Sequence, residues 1–351
     1  MWYVGVDQHK RFSQVAVMDE RGKVMDERRL YHDDPGKLRN YFRRWGDGIA
    51  VLEATRNWDW LYDLLEGQFK AVKMSNPGRT RIIAEARVKT DKVDARVLAH
   101  LVRTGFLPEA YTPPSDIRDA REVHRYRIWL LRIQTQVKNR IHTILDRLGI
   151  QHPWTDLFGK HGREFLESLS LRSPYDLEMR GLLRVLDRVV AEATLAMRAI
   201  KKTLRETPEG GLLMTVPGIG EVLAYLILYE VGEISRFPSE KKFAAYCCLV
   251  PSTRQSADHT YHGRTGRNGN LYLKWAFVEA AHKAIKGDPY LGAWCERLCR
   301  KKGKGKAIVA VARKLAVAVY HMLRNGVEYR VHHSGNFGSG KPAFFLGRRQ
   351  R

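Results

Sequence analysis

Asp91 and Asp94 stand three residues apart in "KTDKVDA", in a chain whose Lys and Arg outnumber its Asp and Glu by 61 to 38. Residues three apart share one face of a helix, with Cβ atoms about 5–6 Å apart. Two carboxylates so placed repel each other unless a cation or a shared proton lies between them. An ordinary helix start also accounts for the pair, with Asp91 as N-cap and Asp94 at the third helical position favouring the dipole. Asp7 and Glu53 shift the balance. Asp7 closes the apolar run "WYVGVD" and Glu53 closes "GIAVLE", two strand-like segments. If these strands are neighbours and a following helix covers the same edge, four carboxylates converge. Magnesium takes hard oxygen ligands and keeps several waters, so few carboxylates suffice to hold it. Two such ions about 3.5–4 Å apart can stabilise the attacking and leaving oxygens of phosphoryl transfer.

To bring these acids together, the first hundred residues must form a sheet with a helix laid against it. "WYVGVD", "SQVAVMDE" and, after the turn "RGK", "VMDERRLY" read as three strands of an antiparallel meander. A polar helix follows over about residues 34–46. "GIAVLEA" is a fourth strand. "WDWLYDLLEG" is an amphipathic helix with Trp58, Leu61, Leu64 and Leu65 on one side. "FKAVKMSNP" is a fifth strand, stopped at Asn76-Pro77. The order βββαβαβ and then a helix is that of an RNase H-like α/β domain, assigned to residues 1–112. Topology alone does not fix function.

From Pro113 the pattern turns helical. Two long periodic segments, the second over residues 174–206, predict an antiparallel helical arm across residues 113–208. A dimer interface and a plain spacer both suit such an arm. Residues 209–330 read as a mostly helical domain. It opens with "GGLLMTVPGIGEVLAYLILYEVG", a Pro-Gly-Ile-Gly turn between apolar helices. Such a turn is helix-hairpin-helix-like, and at Gly218 and Gly220 backbone N–H groups can approach a phosphate. It also reads as an ordinary helix corner. "PSTRQSADHTYHGRTGRNGN" lacks apolar periodicity and predicts a loop lying against another molecule, before the helix "LYLKWAFVEAAHKAI". Residues 331–351 read as a flexible basic tail.

The 351 residues are 44% hydrophobic, which is a globular composition, and carry a formal net charge of +23. The charge predicts a polyanionic partner. From residue 300 to the end there are thirteen Lys or Arg against one acid, Glu328. No apolar signal core or membrane-length run is present, so a cytoplasmic protein without a membrane partner is expected. Cys247 and Cys248 are adjacent, and Cys295 and Cys299 lie one turn apart without a second ligand pair at zinc spacing. All four read as reduced thiols.

Together "VGVDQHK", "VLEAT", "KTDKVDARVLAHL", "VPGIG", "RFPSEKKFAAYCCLVPS", "RQSA" and "GRNGNLYLKWAFVEAA" resemble, in order and over nearly the whole chain, one known group. It is the DEDD transposases of the insertion-sequence one-ten family, the bridge-RNA-guided recombinases of bacterial mobile elements. The resemblance implies a RuvC-like domain, a coiled-coil arm and a C-terminal transposase domain. It places Asp7, Glu53, Asp91 and Asp94 at the four catalytic, Mg²⁺-holding acidic positions. It further implies a serine nucleophile after "LVP", best matched by Ser256, with Ser252 as the competing candidate. Two departures are Ala257, where a glycine usually follows the serine, and Arg56, in place of a glycine after "EAT". Attack by serine on a DNA phosphate gives a phosphoserine link that conserves the bond for rejoining. Arg254, Arg264 and Arg267 are expected to brace the phosphate. Lys10, Lys89, Lys92, Gln255, Asn270 and Lys274 complete the expected nucleic-acid contacts, beside Gly218 and Gly220. The implied partners are donor and target DNA, a guide RNA, and further copies of the chain, as dimers pairing into tetramers with a site shared between protomers. The implied place is the bacterial cytoplasm, at the nucleoid. A metal-dependent nuclease of the Holliday-junction-resolving kind, and a non-catalytic nucleic-acid-binding protein, are the competing readings.

Overall fold

The structure, a computed structural model, describes residues 1–55, 57–83, 90–203, 207–256, 259–266 and 268–330, without the side chains of 203, 253–256, 259, 260 and 262. The chain divides into two units, Met1–Pro113 and Pro114–Arg351.

In the first unit, β1 (Tyr3–Gln8), β2 (Phe12–Met18) and β3 (Val24–Tyr31) form an antiparallel meander. α1 (Pro35–Arg43) starts where the Asp34 carboxylate accepts from the N–H groups of Gly36 and Lys37, with proline in its first turn. β4 (Ile49–Glu53) then pairs parallel with β1. α2 (Asp59–Glu66), β5 (Ala71–Ser75), α3 (Pro77–Ile83), α4 (Asp91–Thr104) and β6 (Glu109–Ala110) follow. The sheet order is β3-β2-β1-β4-β5-β6.

Strand side chains alternate between faces, and this sheet uses both. Val4, Val6, Val15, Val17, Ala50 and Leu52 pack with Leu38 and Phe42 of α1 and with Leu61 and Leu65 of α2. On the other face Tyr3, Ile49 and Val51 meet Leu98 and Val102 of α4. Each fully buried Val or Leu contributes roughly 1.5–3 kcal/mol. Gly5 lies between Tyr3 and Asp7 on the α4 side. A Cβ there would stand 2.0 Å from the Ala95 carbonyl oxygen and 2.6 Å from the Ala99 nitrogen. Only glycine lets α4 come this close to β1.

In the second unit, α5 (Ser115–Arg147), α6 (Lys160–Ser168) and α7 (Tyr175–Thr203) come first. Val137, Ile141, Ile144 and Leu145 of α5 pack with Met179, Leu183 and Leu186 of α7. Leu130 packs with Val189 and Ala196. Earlier residues of α5 therefore meet later ones of α7, as in an antiparallel hairpin. Next come α8 (Pro208–Met214), α9 (Glu221–Val231), a 3-10 turn (Ile234–Arg236) and α10 (Glu240–Tyr246). The chain continues through β7 (Pro251–Ser256), β8 (His259–Thr265), α11 (Leu271–Gly287), α12 (Pro289–Lys302) and α13 (Lys304–Asn325). Phe243, Phe277, Val311 and Leu315 lie in a large core that also takes in Ile128 of α5. The first turns of the long helix thus belong to the C-terminal core.

The segment expected as a loop after Val250 is instead an antiparallel β-hairpin. Its Thr and Tyr residues favour strand, but with almost no apolar residues in alternation it shows no hydrophobic period. The expected basic tail, residues 331–351, lies outside the described residues. Among the described residues, no helix is long and apolar enough to cross a membrane.

Candidate acidic metal centre and serine hairpin

Two local features place the acids. β1 and β4 run parallel with Val6 opposite Leu52, so Asp7 and Glu53 follow at adjacent strand ends. Asp7 shares the face of Gly5, and Glu53 that of Val51, so both lie on the side covered by α4. α4 begins at that edge. Its N-cap is Thr90, whose hydroxyl accepts from the Val93 N–H at 3.3 Å. The expected alternative, Asp91 as the cap, is thereby corrected. The shorter Thr90 side chain satisfies the helix end, and the Asp91 carboxylate is turned to other partners.

Those partners form a tight group. His9 Nε2 lies 3.1 Å from Asp7 Oδ2 and 3.4 Å from Asp91 Oδ1. Asp7, His9 and Asp91 each offer a ligand atom within 4.8 Å of the others. Arg29 donates to Asp91 Oδ2 at 3.3 Å and lies over the Phe12 ring, on which His9 also stacks. Burial pushes the Asp7 carboxyl above its ordinary value, and Asp94 and Asp91 add to this, while His9 opposes it. Asp94 is therefore close enough to act on Asp7, although Asp94 and Glu53 lie outside the 4.8 Å group. Two carboxylates and an imidazole, with a third carboxylate repelling from nearby, make a donor set suited to a divalent cation. His9 and Arg29 lie against these carboxylates.

His9 and Arg29 were not legible as site residues by composition. His9 had a signal, because it stands two residues after Asp7 at a strand end and so on the same face. Lys10 and Lys92 are exposed beside the acids, and Lys89 lies outside the described residues.

The second candidate group lies on β7 and β8. Ser256 is the last residue of β7, paired with His259 at the hairpin tip. Ser252 is near the base, where a Cβ on Gly263 would stand 2.5 Å from its Oγ. Ser252 is exposed, and the lack of a side chain at Gly263 leaves its hydroxyl room. Arg254 pairs with Tyr261 and Gln255 with Thr260 along the ladder. Arg264 is exposed, and Lys274 donates to Thr265 Oγ1 at 2.7 Å. Arg267 lies outside the described residues. Gly218, at φ 90°, has a packing duty: a Cβ there would stand 2.6 Å from the Ala280 carbonyl oxygen of α11. Gly220, the N-cap of α9, faces open space. Asn270 is buried and caps α11, accepting from the N–H groups of Tyr272 and Leu273.

Two family models match this chain. A DEDD transposase model covers residues 4–150, and that of "Transposase IS116/IS110/IS902 family" covers residues 210–293, together more than half the chain. The first spans the acidic centre and the second the hairpin. The chain belongs to the IS110 family of transposases. It is 24% identical to a "Probable family 20 transposase" of Pseudomonas aeruginosa, over 93% of this chain and 98% of the relative. It is 22% identical to the transposase of insertion sequence element IS1111A of Coxiella burnetii, over 93% and 91%. It is 20% identical to the transposase of insertion sequence element IS1328 of Yersinia enterocolitica, over 93% and 98%.

For an IS110-family transposase, the raised Asp7 carboxyl has a consequence for stability. A carboxyl with its folded pKa raised contributes stability that is full below its unfolded value and lost as pH rises through the folded one. Ionised Asp7 therefore weighs against the metal-free fold at neutral pH. Asp7→Asn is expected to raise the metal-free thermal midpoint by on the order of a few degrees at pH 7. The gain should vanish towards the ordinary carboxyl value of 3.8. A divalent cation taken up by the Asp7, His9 and Asp91 group should reverse the order, because binding stabilises only the protein that keeps the carboxylate. Scanning calorimetry across pH, with and without the ion, checks all three.

Proposed function

We propose that this transposase cuts and rejoins DNA through a phosphoserine at Ser256, assisted by Mg²⁺ held at Asp7, Glu53, Asp91 and Asp94. The observation that carries the reading is the meeting of β1 and α4, which sets Asp7 and Asp91 around one point with Asp94 close by. The strand order supports an RNase H-like, RuvC-like identity for the sheet. When bound, the ion supplies positive charge against the phosphate oxygens, lowering the cost of charge build-up in phosphoryl transfer.

The chain's own groups do the rest. The Ser256 hydroxyl attacks a DNA phosphorus. The new Oγ–P bond forms, the P–O bond to a deoxyribose oxygen breaks, the serine proton leaves to solvent, and the departing oxygen takes up a proton. Rejoining is the reverse attack, by a deoxyribose hydroxyl of another strand, which releases the serine. Its match to the family's serine position and its place at the hairpin tip favour Ser256 over Ser252, which is exposed but lies near the hairpin base. Arg254, Arg264 and Arg267 supply guanidinium groups for the phosphate oxygens. Lys10, Lys89, Lys92 and the +23 charge serve the DNA backbone and a structured guide RNA. The α5–α7 hairpin serves as a coiled-coil arm, through which copies assemble as dimers and tetramers. The workplace is the bacterial cytoplasm, at the nucleoid.

The test is incubation of the protein with Mg²⁺, a plasmid carrying the element's two flanks, and RNA transcribed from those flanks. Denaturing electrophoresis with and without protease then follows. A protease-sensitive protein–DNA adduct supports the proposal. Cut DNA without an adduct returns the reading to a metal-dependent nuclease using water, and binding without cutting to a non-catalytic protein.

A further inference from the structure

One carboxylate far along the chain from the acidic centre is completely buried. Glu230, near the end of α9, has no solvent exposure. A buried charge persists only where it is paired and fully hydrogen-bonded, and Glu230 is. Arg125 of α5 grips both its oxygens, Nε at 2.7 Å from Oε1 and a terminal nitrogen at 2.8 Å from Oε2. A bidentate pair of this kind fixes orientation as well as charge. Asn270 donates its side-chain amide to Oε2 at 2.6 Å. Arg121, also buried, binds the main chain alongside, donating to the carbonyls of Tyr229 at 2.6 Å and Glu230 at 3.2 Å.

Asn270 is the point of interest, because it stands at the foot of the serine hairpin. Its carbonyl-type oxygen caps α11, and its own N–H donates to the Tyr246 carbonyl at 2.6 Å. Gly269, next to it, is so close to Tyr246 that a Cβ would stand 2.4 Å from that carbonyl oxygen and 2.9 Å from Cys248 Sγ. Residues 246–248 lead into β7, and residues 269 and 270 lead out of β8. Entry and exit of the hairpin are therefore clasped together, and the clasp is hydrogen-bonded to a carboxylate held by the long helix. Arg125 also lies over the ring of Tyr272, in the first turn of α11.

We propose that Glu230 is a positioning residue for the serine hairpin, tying the root of α5 to its base so that the helical arm sets how Ser256 is presented. The inference rests on the reading of Ser256 as nucleophile. The carboxylate acts through Asn270 and touches no reacting atom. The physical basis is rigidity: a single buried acceptor joins three elements, and no one of them can turn without breaking a charged hydrogen bond inside the protein. A displacement of about 1 Å at a reacting group can cost about 100-fold in rate, so loosening this tie should be felt at the chemical step.

Asn270→Ser severs the tie with little else. Serine is also a good N-cap, so α11 keeps its start, but its shorter side chain does not span the distance to Glu230. In the full-length protein with the plasmid, transcribed RNA and Mg²⁺ described above, adduct formation at saturating DNA should slow by about 10- to 100-fold. The DNA concentration for half-saturation should stay within about two-fold, and a larger rise would mark Asn270 as a DNA contact and overturn the positioning role. Deuterium uptake over residues 251–266 should rise. A second variant guards against misfolding: Glu230→Gln with Arg125→Met removes the two partners of the bidentate ion pair together, which the fold tolerates better than the loss of one. It should show the same slowing and the same rise in uptake. Native hairpin uptake in either folded variant would overturn the proposal, and so would raised uptake with a native adduct rate. If the unaltered protein cuts DNA without an adduct, the nucleophile reading fails by itself, and the deuterium uptake alone decides whether Glu230 holds the hairpin.

Discussion

On the proposed reading, Asp91→Ala and Asp94→Ala are each expected to reduce strand cutting by at least about 100-fold while the chain stays folded. Loss of a residue that merely orients a metal ligand already costs roughly 10- to 100-fold, and the loss of a ligand should exceed that. The two variants differ in the metal-free protein. Asp91→Ala removes the acceptor shared by His9 and Arg29, leaving the Arg29 guanidinium without that carboxylate. Asp94→Ala removes a charge that repels Asp7, so its metal-free form should be no less stable than the parent. Single-turnover cutting rates, with thermal midpoints measured on the same samples, check both statements. A variant that cuts at the native rate without its carboxylate removes that residue from the centre.

Mixing two inactive proteins should restore cutting. The acids precede residue 113 and Ser256 follows the α5–α7 hairpin, so two copies can each supply one half of the chemistry. Asp94→Ala and Ser256→Ala are each expected to be inactive alone, the serine variant by on the order of 10⁴-fold or more, as for other covalent nucleophiles. In a mixed assembly with shared sites, some sites hold an intact acidic set and an intact serine. Recovered cutting of a few per cent to a quarter of the native level is the expected result, within about that range if assembly is random. Persistent inactivity in proven mixed assemblies would assign each site to one chain.

Much of the first unit was legible because burial imposes a period. The alternation in β1 and the short apolar run of β4 predict strands, and their ends locate Asp7 and Glu53. "KTDKVDA" announces a helix start, and α4 begins there. What alternation could not show is how closely α4 approaches β1. That depends on Gly5, one residue without a side chain, and is visible only once the Ala95 and Ala99 backbone lies against it. The spacing of His9 from Asp7 puts both on one face, but a lone histidine in a basic segment does not by itself mark a ligand. The β7–β8 hairpin was missed for a different reason: its residues are polar on both faces, and polar strands resemble loops to any test based on hydrophobicity. Glu230 stands in the apolar stretch "LAYLILYEVG", which marks it as buried, but its partner Arg125 is 105 residues away. Nothing in either local segment names the other.

The most direct test of the account is the identity of the atom that carries the DNA. After reaction with Mg²⁺, flank DNA and transcribed RNA, the adduct is digested with nuclease and protease, and the modified peptide is sequenced by mass spectrometry. The expected product is a nucleotide or phosphate on Ser256, lost in Ser256→Ala and retained in Ser252→Ala. A modification on Ser252, or cut DNA whose ends carry no peptide at all, would contradict it.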